Sequence, residues 1–207
     1  MRFAVAPEPL RFLALGDSYT IGEAVDESDS WPWVVVERLR GEGLQLADPQ
    51  IIATTGWTTE DLARGIAETA PAGPFQVVTL LAGVNNQYQG LRLDEYRVQF
   101  AELLAQATAL AGNDSNRVIV ISVPDWGATP QAEGRDRNSI AEEIDTFNSA
   151  ARDLALASGS PFVDVTDLSR LTLGRPDFVA HDGLHPSASM YEMWVARILP
   201  VMRDAIT

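Results

Sequence analysis

Apolar residues in this chain gather in short continuous runs, separated by longer stretches in which they recur every three or four positions. The runs at 12–15, 50–53, 76–81, 118–123 and 162–165 have strand length and little alternation. That pattern predicts strands buried on both faces, as in a parallel sheet. The intervening stretches predict helices. Over 94–111, Tyr96, Phe100, Leu103, Leu104, Ala107 and Leu110 share one face, and Gly112-Asn113 supplies a stop. A second stripe, Ile140, Ile144, Phe147, Ala151 and Leu154, runs over about 139–157 and ends before Gly159. Thr58 and Asp61 have the spacing of a capping box that opens a helix to about Thr69. Further helices are expected near 33–40 and 189–203.

Strands alternating with helices predict a doubly wound α/β sandwich. No repeat, low-complexity tract or long linker interrupts the pattern, so residues 1–207 are read as one domain. Open parallel sheets bind ligands beyond the carboxyl ends of their strands, so functional residues are expected just after strands.

Composition narrows the chemistry sharply. All 15 basic residues are arginine, cysteine is absent and there are two histidines. Lysine-dependent phosphate, Schiff-base and kinase chemistry is therefore excluded, as are thiol nucleophiles, thiolate metal sites and disulfides. A hydrolase built on an activated hydroxyl remains. The net charge of −14 argues against nucleic acid and anionic membrane surfaces as partners. No leader-like segment or apolar span is evident at the sequence level, so a cytoplasmic location is the default expectation.

Four loops carry candidate chemistry, each following a strand run. Gly16-Asp17-Ser18-Tyr19 can expose a serine hydroxyl on a strand-to-helix turn, with its own N–H available to an oxyanion. Asp182-Gly183-Leu184-His185-Pro186 places a carboxylate three residues before a histidine on a tight turn, and Pro186 biases His185 toward extended backbone. Gly56 follows the second run and Gly83-Val84-Asn85-Asn86 the third, where a backbone N–H and an amide could stabilise developing charge. Each motif alone is commonplace; a turn, a cap or a packing role would explain any one of them.

In this order the four blocks resemble the SGNH, or GDSL-type, esterase and lipase family, over positions 16 to 186. The resemblance implies a flavodoxin-like three-layer α/β/α sandwich on a five-stranded parallel sheet. It implies Ser18 as nucleophile, His185 as general base and Asp182 as its orienting partner. It also implies an oxyanion hole from Ser18 N–H, Gly56 N–H and the Asn85 side chain, with no cofactor. Two positions depart from the family pattern: Asn86 replaces a usual Asp, and Tyr19 a common Leu.

His181 is the other candidate base, but adjacent side chains rarely align as a ring nitrogen and its carboxylate, so His181 is read as a bystander. Trp57 and Trp126 are candidates for a substrate wall, whereas Trp31 and Trp33 read as core. Arg135 and Arg137, flanked by Glu133 and Asp136, read as a solvated loop. No catalytic metal is expected. The favoured activity is hydrolysis of small, soluble, short-acyl or acetyl esters through an acyl-enzyme. A thioesterase, an acyltransferase or a silent binding module on the same scaffold are the alternatives.

Overall fold

The first apolar run forms strand β1 (Phe12–Asp17), and the others form β2 (Gln50–Thr54), β3 (Val77–Leu80), β4 (Val118–Ile121) and β5 (Phe162–Val163). The computed structural model describes residues 8–207. Positions 1–7, the start of the stretch read for a leader, lie outside the described residues. All strand pairs are parallel, in the order β2-β1-β3-β4-β5, the flavodoxin-like order.

Alternation within each strand explains the continuous apolar runs. Phe12 and Ala14 face one side of the sheet and Leu13 and Leu15 the other, all fully buried. Ile119 and Ile121 oppose Val118 and Val120 in the same way on β4. One face is covered by α2 (Trp31–Gly41) and α8 (Ala188–Ile206), which contribute Trp31, Val35, Leu39, Tyr191, Trp194 and Ile198. The other is covered by α3 (Thr59–Thr69), α5 (Leu93–Leu110) and α6 (Arg137–Ser158), with Leu62, Phe100, Leu103 and Ala151 in the core. The capping box at Thr58 and Asp61 is present.

Strands β4 and β5 are shorter at their carboxyl ends than the apolar runs suggest, because side chains replace the ladder there. Asn148 of α6 accepts the Val123 N–H (2.8 Å) and donates to the Val123 carbonyl (2.9 Å), while Val165 N–H donates to Ser122 Oγ (2.8 Å). Short helices α1 (Ser18–Ile21), α4 (Val84–Tyr88) and α7 (Thr166–Ser169) follow β1, β3 and β5. They hold too few residues for a helical period to be read. The chain passes from β1 to β2 on one side, then crosses to β3 on the other. The crevice above β1 and β3 is thus the topological switch point of the sheet.

Candidate active site

At the carboxyl end of β1 the backbone turns directly into α1. Asp17 caps that turn, its Oδ1 accepting the Tyr19 N–H at 3.0 Å, and Ser18 is the first helical residue. Ser18 is 4% exposed, and among the described residues its hydroxyl has no hydrogen-bond partner. The second Asp17 oxygen is buried without a partner. Burial pushes the Asp17 carboxyl up to about 7, against the smaller opposing effect of the Tyr19 N–H.

The loop before α8 holds the imidazole. Ala180 N–H donates to the His185 carbonyl (2.7 Å), and an antiparallel bridge joins Val179 to Pro186, closing a tight loop around Asp182. Asp182 Oδ1 accepts the Leu184 and His185 N–H groups at 2.9 and 3.0 Å, and its Oδ2 lies 2.5 Å from His185 Nδ1. Burial alone would raise the Asp182 carboxyl, but the His185 ring and the two N–H groups outweigh it and hold the group below its ordinary value. The Tyr19 ring packs against the imidazole with centroids 5.0 Å apart. His185 is thereby oriented from both its edge and its face. His181 sits exposed on the same loop and makes no side-chain hydrogen bond among the described residues.

Gly56 occupies a four-residue turn closed by Trp57 N–H to the Thr54 carbonyl, at φ +82° and open to solvent. Asn85, on α4, donates through Nδ2 to the Trp57 carbonyl at 2.9 Å, tying that turn to the end of β3. An amide nitrogen carries two hydrogens, so one remains to be directed elsewhere. Asn86 has a different role. Its Oδ1 accepts the Thr59 N–H at 3.0 Å and its Nδ2 donates to Thr59 Oγ1 at 2.7 Å, leaving that hydroxyl free to donate to Gln99. A carboxylate at position 86 would accept from the Thr59 hydroxyl and compete with Gln99. The Asn86 amide therefore clamps α4 to the start of α3.

Ser18, Asn85 and His185 line one cavity of about 180 Å³, together with Tyr19, Tyr88 and Trp126. Of the two tryptophans proposed as substrate wall, only Trp126 lines it. Trp57 instead lays its ring over Gly65 of α3, where an added Cβ would meet the ring at 2.3 Å. Gly56 is not among the lining residues either. Trp126 is held by its Nε1, which donates to Gln87 Oε1 at 2.7 Å, and by neighbouring Asp125, whose buried carboxylate pairs with Arg170 at 2.9 Å. Tyr88 and Gln87 escaped the sequence reading because they lie within α4, a helix too short to show its faces. Among the described residues no group of three His, Asp or Glu side chains could hold a metal ion, and no helix is long and apolar enough to cross a membrane.

The sequence model of the GDSL-like lipase/acylhydrolase family matches residues 14–193. No curated protein sequence matches the chain. Among solved structures the chain is similar to the psychrotrophic esterase EstA from Pseudoalteromonas sp., inhibited by monoethylphosphonate, at TM-score 0.73 and 13% identity over 94% of this chain and 97% of that one. It is similar to the lipase/acylhydrolase from Enterococcus faecalis at TM-score 0.69 and 22% identity, covering 94% and 96%. It is also similar to Axe2, an acetylxylan esterase from Geobacillus stearothermophilus, at TM-score 0.69 and 20% identity, covering 93% and 94%. At these identities the likeness carries the fold.

Proposed function

The chain belongs to the GDSL-like lipase/acylhydrolase family and is a carboxylic ester hydrolase, and from that premise we propose that it cleaves short-acyl esters through an acyl-enzyme on Ser18. The observation that carries this reading is the His185–Asp182 pair at 2.5 Å, with the imidazole and the Ser18 side chain lining the same cavity.

In this mechanism Ser18 Oγ attacks the ester carbonyl while His185 Nε2 takes its proton. Asp182 keeps the other proton on Nδ1 and stabilises the imidazolium that forms. The oxyanion is received by the Ser18 N–H, the Gly56 N–H and the Asn85 N–H that Trp57 leaves free. Collapse of the tetrahedral intermediate expels the alcohol, which takes the proton from His185. Water then attacks the acyl-enzyme, giving its proton to His185, and the second collapse releases the acid and restores Ser18. No step calls for a cofactor.

A cavity of about 180 Å³ is smaller than the sites that enclose drug-sized ligands. That size favours acetyl and other short acyl groups on a small soluble ester. The test is covalent labelling by a serine-reactive phosphonate followed by peptide mapping, with a series of 4-nitrophenyl esters from acetate to octanoate. Label on Ser18 and a maximum in kcat/KM at short chains are expected. A folded sample that resists the phosphonate, or label on another serine, would overturn the mechanism. A maximum at octanoate would overturn the substrate class, and faster turnover of acyl-CoA thioesters would reassign the activity.

A further inference from the structure

Arg135 lies beside this cavity in an arrangement that its sequence neighbours do not suggest. Its guanidinium carbon is 5.3 Å from the Trp126 ring centroid and 5.4 Å from that of Tyr88, and both rings line the cavity. The two rings meet edge to face with centroids 5.1 Å apart. Trp126 is only 3% exposed, whereas Tyr88 is 47% exposed, so the stack marks the boundary between cavity and solvent.

Among the described residues this guanidinium has no carboxylate partner, in a protein whose 29 acidic side chains outnumber its arginines almost two to one. Among the described residues every other arginine faces a carboxylate within 4 Å, save two. Arg11 lies over Phe75, just before the amino end of β1, and Arg137 donates to the Gly127 carbonyl. The acidic groups nearest Arg135 in sequence do not neutralise it. Asp136 turns its carboxylate into the head of α6, accepting the Asn138 and Ser139 N–H groups, and Glu133 makes no ion pair among the described residues. Among the described residues the Arg135 side chain makes no hydrogen bond or ion pair, so a guanidinium held over these rings keeps its N–H donors free for a two-oxygen acceptor.

We propose that Arg135 binds an anionic group on the substrate, so that the preferred esters carry a carboxylate or phosphate besides the scissile bond. This rests on the ester-hydrolase reading of the same cavity. The Trp126 and Tyr88 rings position the charge, and this unpaired cation locally offsets the repulsion that the protein's net charge of −14 exerts on an anion entering the cavity.

Matched esters and variants at position 135 test it. On the acyl side, 4-nitrophenyl hemiglutarate is compared with 4-nitrophenyl pentanoate. On the alcohol side, 4-acetoxybenzoate and 4-acetoxyphenyl phosphate are compared with neutral 4-acetoxybenzamide. Taking wild type relative to variant for each ester cancels the esters' intrinsic reactivities. Arg135→Gln is expected to lower kcat/KM for at least one anionic ester by about ten-fold more than for its neutral partner, mostly through KM. The excess should shrink in about 0.5 M salt, and Arg135→Lys should retain part of it. Which arm responds distinguishes acyl from alcohol side, and carboxylate from phosphate. Equal losses on charged and neutral esters in both arms would overturn the inference and leave Arg135 a packing residue on Trp126. Turnover of neither class, with Ser18 unlabelled by the phosphonate, would instead remove the hydrolase reading and this inference with it.

Discussion

Asp182 holds His185 at two levels: one carboxylate oxygen lies 2.5 Å from Nδ1, and the other accepts the backbone N–H of the same histidine at 3.0 Å. Ring and backbone are thus fixed by one side chain three residues away. Asp182→Asn would keep an acceptor for the backbone but can present an N–H to Nδ1 and favour the wrong tautomer. The expected loss in kcat is roughly 10³–10⁴-fold with little change in stability. His185→Ala should lose at least as much and His181→Ala far less, measured on 4-nitrophenyl acetate. Comparable losses at the two histidines would refute the assignment of the base.

Adjacent asparagines separate chemistry from structure. Asn85→Ala removes an amide that lines the cavity, and kcat should fall by about 10²–10³-fold with the fold intact. Asn86→Ala leaves the buried Thr59 N–H unpaired and removes the donor to the Thr59 hydroxyl, which keeps only its bond to Gln99, and its main effect should be a loss of about 1–3 kcal/mol in urea unfolding. Asn86→Asp keeps the acceptor for Thr59 N–H and should cost less than alanine. A larger stability loss at Asn85 than at Asn86 would reverse these roles.

Asp17 makes stability depend on pH. The folded carboxyl ionises near 7 because it is buried, whereas the unfolded value is 3.8. Between these values the unfolded chain has released the proton that the folded chain retains. Stability is therefore fully present below about 4, falls as pH rises to about 7 and then levels. Asp17→Asn keeps the acceptor for Tyr19 N–H and removes this dependence. At pH 8 it should be more stable than wild type, by up to about 4 kcal/mol, with the difference vanishing near pH 4. Urea midpoints across that range decide it; parallel curves would refute the assignment.

Two glycines should respond differently to alanine. At Gly83 φ is +129° and an added Cβ would meet the Tyr96 ring at 2.6 Å, with that ring pinned by its hydroxyl to the Ala82 carbonyl. A loss of about 2–4 kcal/mol is expected. At Gly56 the space is open and only the positive φ opposes a side chain, so the stability loss should be about 1 kcal/mol. Calorimetry on both variants checks the order.

Local pattern was enough for some features and insufficient for others. Strand positions could be read because burial on both sheet faces writes an uninterrupted apolar run, and the long helices because their stripes recur over several turns. Ser18, Asn85 and His185 could be singled out as loop residues following such runs, with Asp182 three positions before His185. Trp57 and Trp126 could not be told apart, since both follow strands. Their fates diverge because the ring of one is received by Gly65 on α3, while the other is turned to the cavity and fastened by Gln87.

The amino-acid sequence by itself determined the layered parallel architecture, the restriction to hydroxyl chemistry and the loops that carry it. These follow from short-range periodicity and from which side chains the chain contains. Only the tertiary structure decided that Asn86 is a clamp, that Tyr19 backs the imidazole, and that Arg135 stands unpaired over the cavity wall rather than in a solvated charge cluster. Each of those outcomes depends on a partner distant in sequence, Thr59, His185 or Tyr88, brought within reach by the crossover connections of the sheet. A side chain's role is set by what packs against it, and that is not written in its neighbours along the chain.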